Sequence, residues 1–169
     1  MAKKVPYFGL MLSLALIISY LERLIPFDFF MPGIRIGLTN IVVVFVLYYN
    51  GAKEALFINM LRVFLANTLF GSLTSLLYGL FGGILSWAVM CALKRAGIFG
   101  AVGISAAGGV FHNIGQVLAA MLLLKSTALI YYVPVLMFAG LTSGIFVGVI
   151  SYYFLNQLGK IPRLQNNLK

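Results

Sequence analysis

Acidic residues are nearly absent from this chain: Glu22, Asp28 and Glu54 are the whole inventory in 169 residues. Three scattered carboxylates build no DDxxD-type cluster, so magnesium-assisted chemistry on a diphosphate has no ligands here. Cysteine and histidine are scarcer still, with one of each, Cys91 and His112. A lone cysteine forms no internal disulfide, and one Cys with one His cannot close a structural zinc site. Cys91 lies between Met90 and Ala92 and reads as a small buried hydrophobe. No GxxxxGK[ST] loop occurs, so ATP is not hydrolysed by that route. His112 has serines in the chain but no nucleophile-elbow motif to accompany it. No catalytic residue, metal or cofactor is therefore expected.

Charge of either sign is also sparse. Only 9% of residues are charged, against about 25% in an average soluble domain. What is present instead is apolar: 62% of the chain. A soluble fold needs a polar exterior that this composition cannot supply, so lipid has to be the solvent for most of the surface. The expectation is one all-α integral membrane domain over residues 1–169, a polytopic bundle of six transmembrane helices. The apolar segments run over about 5–24, 36–49, 52–70, 72–93, 100–124 and 128–158. They are long and lack period-2 alternation, which argues against strands. The first segment ends in Glu22-Arg23 without a small-residue cleavage pattern, so it reads as a retained helix, not a signal peptide.

Net charge is +9. In a soluble protein that excess suggests nucleic acid; here it reads as membrane orientation. With six spans, Lys3, Lys4, Lys53, Lys94, Arg95, Lys160, Arg163 and Lys169 share one side. Arg23, Arg35 and Lys125 fall on the other, and Arg62 lies within a span. The asymmetry predicts cytoplasmic termini in the cell membrane. Tyr48-Tyr49, Tyr131-Tyr132 and Tyr152-Tyr153 sit near helix ends, as interfacial tyrosines do. Residues 26–37 hold Pro26, Pro32 and Gly33, are too long for a tight turn and too apolar for a free loop. They are expected to fold over the outer mouth of the bundle as a lid.

Small residues recur four apart: Gly140, Gly144 and Gly148; Gly79 and Gly83; Ala101, Ser105 and Gly109. Such stripes let helices approach closely where lipid gives no hydrophobic drive for association. On the first helix Gly9-x-x-x-Ser13 and Ala15-x-x-x-Ser19 serve either internal packing or docking of a partner membrane protein.

Polar residues at mid-span carry more information. Arg62 lies about ten residues into the third segment, where even lenient scales assign a cost of about 3 kcal/mol. It should face the interior or a wet cavity, with Asn59 one turn away on the same face and Asn67 further out. On the fifth helix Gly108, His112 and Gln116 repeat every four residues, with Asn113 adjoining. A cation and a titratable ring thus fall at similar depth on two helices. They form either a pocket for an anionic or hydrogen-bonding group, or a network that ties helices together. A guanidinium has five donors in a fork suited to carboxylate or phosphate.

Several stretches together resemble a known membrane family. They are Glu22 through Pro26, then Pro32-Gly33-Ile34-Arg35-Ile36-Gly37-Leu38-Thr39-Asn40, Glu54-Ala55-Leu56, Leu61-Arg62, Phe70-Gly71-Ser72, Gly82-Gly83, Lys94-Arg95 and His112-Asn113-Ile114-Gly115-Gln116. Residues 131–140 and the Gly140/Gly144/Gly148 stripe complete the set. In order, over about residues 5–158, they resemble the family labelled heptaprenyl diphosphate synthase component I, also called the Gx transporter family. Thr39 departs from the pattern, standing where Ala is expected. The family in turn looks like the substrate-binding S-components of energy-coupling-factor transporters.

That resemblance implies an outward pocket roofed by the first loop, and docking through the first three helices onto a transmembrane scaffold with two ATPases. The synthase label implies a partner in polyprenyl diphosphate synthesis. The carboxylate count favours binding or transport over prenyl transfer by this chain. The expected ligand-binding set is Arg62, His112, Gln116, Asn113 and Asn67, with Arg35 and Asn40 from the resembling stretch. The expected docking set is Gly9, Ser13, Ala15 and Ser19. The expected partners are the bilayer, a small apolar metabolite with an anionic group, and the scaffold complex; nucleic acid is not among them. In a Cys91-free variant, cysteines placed at Lys125 and Lys160 should label from opposite sides of the membrane. Equal labelling from outside would refute the six-span arrangement.

Overall fold

Within hydrocarbon every backbone N–H and C=O has to be satisfied by the chain itself, so the apolar segments close into helices. The computed structural model describes residues 4–24 and 37–159. Six α-helices follow one another: α1 Lys4–Leu24, α2 Asn40–Tyr49, α3 Ala52–Phe70, α4 Leu73–Ala96, α5 Ala101–Leu124 and α6 Val133–Gly159. No strand occurs among the described residues. The protein is an all-α membrane bundle. Most of the lid stretch and Arg35 lie outside the described residues.

Four helical stretches are long and apolar enough to cross a bilayer: Val5–Glu22, Leu73–Ala96, Ala101–Leu124 and Thr127–Gln157. The sixth segment is not one uninterrupted α-helix. Thr127–Tyr132 is a 3-10 turn that leads into α6. Pro134 stands at the second position of α6, where its missing N–H costs nothing and its fixed φ starts the helix. Helix α3 is long enough to span but carries Lys53, Glu54 and Arg62.

Helix α2 departs most from the expected span. It has ten residues and so rises only about 15 Å, half of the roughly 30 Å hydrocarbon thickness. Val42, Val43, Val44, Val46 and Leu47 are all buried. A helix that is apolar all round belongs in the interior, and α2 is the centre of the core, packed with Ala15, Ala55, Ile58, Met90, Cys91 and Ile104.

Helices α4, α5 and α6 are joined through backbone-to-backbone seams. A Cβ on Gly144 would lie 2.7 Å from both the Ala106 Cα and the Ser105 carbonyl oxygen, and one on Gly148 would lie 2.8 Å from the Val102 Cα. A Cβ on Gly140 would stand 2.7 Å from the Gly109 carbonyl oxygen. The small-residue stripes of α5 and α6 are thus the contact surface between these helices. Gly115 meets Gly82 in the same way, where a Cβ would fall 2.8 Å from the Gly82 Cα. Replacing Gly144 with Leu should force α5 and α6 apart and destabilise by at least the 1–3 kcal/mol of ordinary overpacking. The thermal midpoint in detergent should fall accordingly. Gly9→Ala, whose Cβ meets nothing within 4 Å, should leave it unchanged.

Candidate functional site

The polar residues of α3 and α5 both meet α4 at its glycines. Asn59, 1% exposed, donates from Nδ2 to the Gly83 carbonyl at 3.1 Å. Its Oδ1 accepts from Arg62 Nη2 at 2.8 Å. The i,i+3 spacing puts the two on one face of α3. Asn59 therefore holds the guanidinium while fastening α3 to α4. The arginine side chain is half-buried.

On α5, the Gln116 and His112 Nε2 atoms lie 3.1 Å apart. With a neutral imidazole protonated at Nδ1, the glutamine amide donates into the ring nitrogen. Both side chains press on Gly82, where a Cβ would lie 2.9 Å from Gln116 Cγ and 3.1 Å from His112 Cε1. A Cβ on Gly83 would lie 3.1 Å from Asn59 Nδ2. Gly82 and Gly83 are neighbours in the chain, so the α3 and α5 polar sets reach α4 at one height.

The start of α2 belongs at that height too. Asn40 opens α2 ten residues before Asn50, and Arg62 lies ten residues after Ala52. A short turn joins the packed pair, so each residue stands about 15 Å from it. The helix start is held by α1. Glu22 accepts through Oε1 from the Gly37 N–H and through Oε2 from the Thr39 hydroxyl at 3.2 Å. Thr39 and Ser19 hydroxyls lie 3.1 Å apart. A carboxylate at a helix N-terminus opposes the positive end of the dipole.

The other expected site residues are placed differently. Asn113 donates to the Leu136 carbonyl at 2.7 Å and so works at the α5–α6 seam. Successive residues on a helix do not share a face, and its place beside His112 in the sequence does not bring it to the same side. Asn67 donates to the Val63 carbonyl at 2.7 Å and accepts from Ser75 Oγ at 2.8 Å, joining the end of α3 to the start of α4. In the docking set, Gly9 and Ser13 are exposed, but Ala15 is fully buried and Ser19 is 7% exposed. Of the two roles open to these last two, their burial fits internal packing: Ala15 lies among the α2 valines, and Ser19 against Thr39.

The sequence reading omitted the Glu22–Thr39–Ser19 set. Its one signal was a carboxylate at the end of an apolar helix, followed by a helix start with Thr at the N-cap.

Among the described residues no three His, Cys, Asp or Glu side chains come together as a metal-ligand set. The family described as heptaprenyl diphosphate synthase component I matches residues 11–154. No curated protein and no solved structure gives a match.

Internal packing of Ala15 has a direct consequence. Ala15→Leu should lower the thermal midpoint of the isolated protein in detergent, since the added atoms have no lipid to enter and overpack the core by about 1–3 kcal/mol. An unchanged midpoint would return Ala15 to the outer surface.

Proposed function

The chain belongs to the heptaprenyl diphosphate synthase component I family, and from that premise we propose that it is a substrate-binding membrane subunit of a transporter, similar to the S-components of energy-coupling-factor systems. The observation that carries this reading is that Asn59 holds Arg62 while bonding to Gly83, and that the His112–Gln116 pair lies against the adjoining Gly82. Arg62 is fixed by Asn59 at 2.8 Å, which pre-orients the guanidinium for a carboxylate or phosphate in forked geometry. The surrounding apolar side chains suit the body of a small metabolite, in the class of isoprenoid or quinone precursors.

On this reading Arg62, His112 and Gln116 contact the ligand, and Asn40 stands at the same level on α2. Asn67 and Asn113 act by holding the helices that frame it. The partner is a transmembrane scaffold with two ATPases, met through the exposed surface of α1 that includes Gly9 and Ser13. The chain is not an enzyme, it sits in the cell membrane, and its termini are cytoplasmic. The family description favours a second reading, a non-catalytic subunit that accompanies a heptaprenyl diphosphate synthase.

Co-purification separates the two: a scaffold with ATPases supports the first, and prenyl-chain elongation that requires this protein supports the second. Untargeted mass spectrometry of metabolites carried through purification tests the site. Arg62→Lys keeps the charge and loses the fork, so the retained ligand should drop strongly. Arg62→Met should retain none while remaining folded. Retention equal to the parent in the Met variant would make Arg62 structural and remove the site.

A further inference from the structure

A second polar site lies at the other end of α3, ten residues and about 15 Å from Arg62. A cavity of about 250 Å³ is lined by Leu47, Ala52, Cys91, Lys94 and Arg95. Whole small molecules occupy pockets of about 300–1,000 Å³, so this one suits a single charged group and not an entire metabolite. Its cations are already positioned. Lys94 Nζ donates to the Leu47 carbonyl at 2.6 Å and lies 4.8 Å from the centre of the Tyr48 ring. An ammonium has three donors, so this bond fixes Lys94 and leaves it capacity for an anion. Arg95 is exposed beside it.

The wall at Ala52 is the first turn of α3, and the N-cap Gly51 supplies no side-chain hydrogen bond to its amides. The wall is held in place by Trp87, whose Nε1 donates to the Ala52 carbonyl at 2.8 Å. One carboxylate is near: a Cβ on Gly51 would lie 3.4 Å from Glu54 Oε2. Lys94 and Arg95, both in the lining, outnumber it. Below Arg95 the outer face of α4 shows Ile84, Ala88 and Ala92 at successive turns, all exposed, an apolar track along which a lipid chain can lie.

We propose that this cavity binds a phosphate group, with Arg95 as its fork, Lys94 as its point charge and the open start of α3 as its third wall. A soluble phosphate and a phospholipid headgroup present the same chemistry, and the assay distinguishes them. Cys91, the chain's one cysteine, lines the cavity and reports on its occupancy. The full-length protein is placed in phosphatidylcholine nanodiscs, and the rate of Cys91 modification by methyl methanethiosulfonate is followed by mass spectrometry. Pyrophosphate at about ten times its Kd should slow modification roughly tenfold if the site takes soluble phosphate. Phosphatidate in the disc should slow it, with pyrophosphate without effect, if the site takes a headgroup.

Arg95→Gln should lose the protection in either case. Because Arg95 is exposed, that variant should stay folded even if Lys94→Gln, which uncaps α2, does not. Native mass spectrometry gives a readout independent of the thiol: more pyrophosphate or phosphatidate should remain on the parent than on Arg95→Gln. Absence of protection and of excess binding with both probes overturns the proposal. So does equal protection by sodium chloride at matched ionic strength, or by the parent and Arg95→Gln alike.

Discussion

Helix α2 is too short to cross the membrane, and the rest of the bundle is arranged around that fact. Ten residues reach about 15 Å, half of the roughly 30 Å hydrocarbon thickness, and a helix end left in hydrocarbon has no water to satisfy its terminal groups. Both ends are instead met by neighbouring helices. At the start, Glu22 of α1 accepts from the Gly37 amide and the Thr39 hydroxyl. At the finish, Lys94 of α4 donates to the Leu47 carbonyl, and Tyr7 of α1 donates to Asn50 Oδ1 at 2.9 Å. The negative group is at the positive end of the helix and the positive group at the negative end, the favourable sense at both. Two of the few charged residues of this chain are thus committed to one central helix.

The glycines set a second constraint, since they fix how near the helices come. Gly79 and Gly83 face α3, Gly82 faces α5, and Gly140, Gly144 and Gly148 face α5 from the other side. In lipid, close approach replaces the hydrophobic drive as the source of helix association. It also decides where the polar side chains end up. With no Cβ at Gly82 or Gly83, the Asn59 amide and the His112 ring lie directly against the α4 backbone. Side chains at these positions would push both groups outward and separate them.

Two polar regions result, at different depths and of different character. The one at the level of Arg62 joins α3, α4 and α5 and is built of amides, a ring and a held guanidinium. The one at the end of α4 is a small cavity with two adjacent cations.

Much of this was legible from residues alone. The shortage of charge and the 62% apolar content leave lipid as the only solvent, and in lipid the backbone must close into helices. The run Ile41 through Val46, rich in β-branched residues, is helical for that reason despite its strand-like composition. Small residues four apart identified the α5–α6 seam, because helical period translates spacing into a face. The pairing of Asn59 with Arg62 and of His112 with Gln116 followed from the same period. Spacing along one helix says nothing about which way that helix is turned. Only the packing decided that Asn113 faces α6, that Ala15 and Ser19 face the core while Gly9 and Ser13 face out, and that α2 stops halfway and is capped from α1 and α4. Those contacts join residues 15 to 47 positions apart, a separation at which local chemistry carries no signal and tertiary geometry is the only cause.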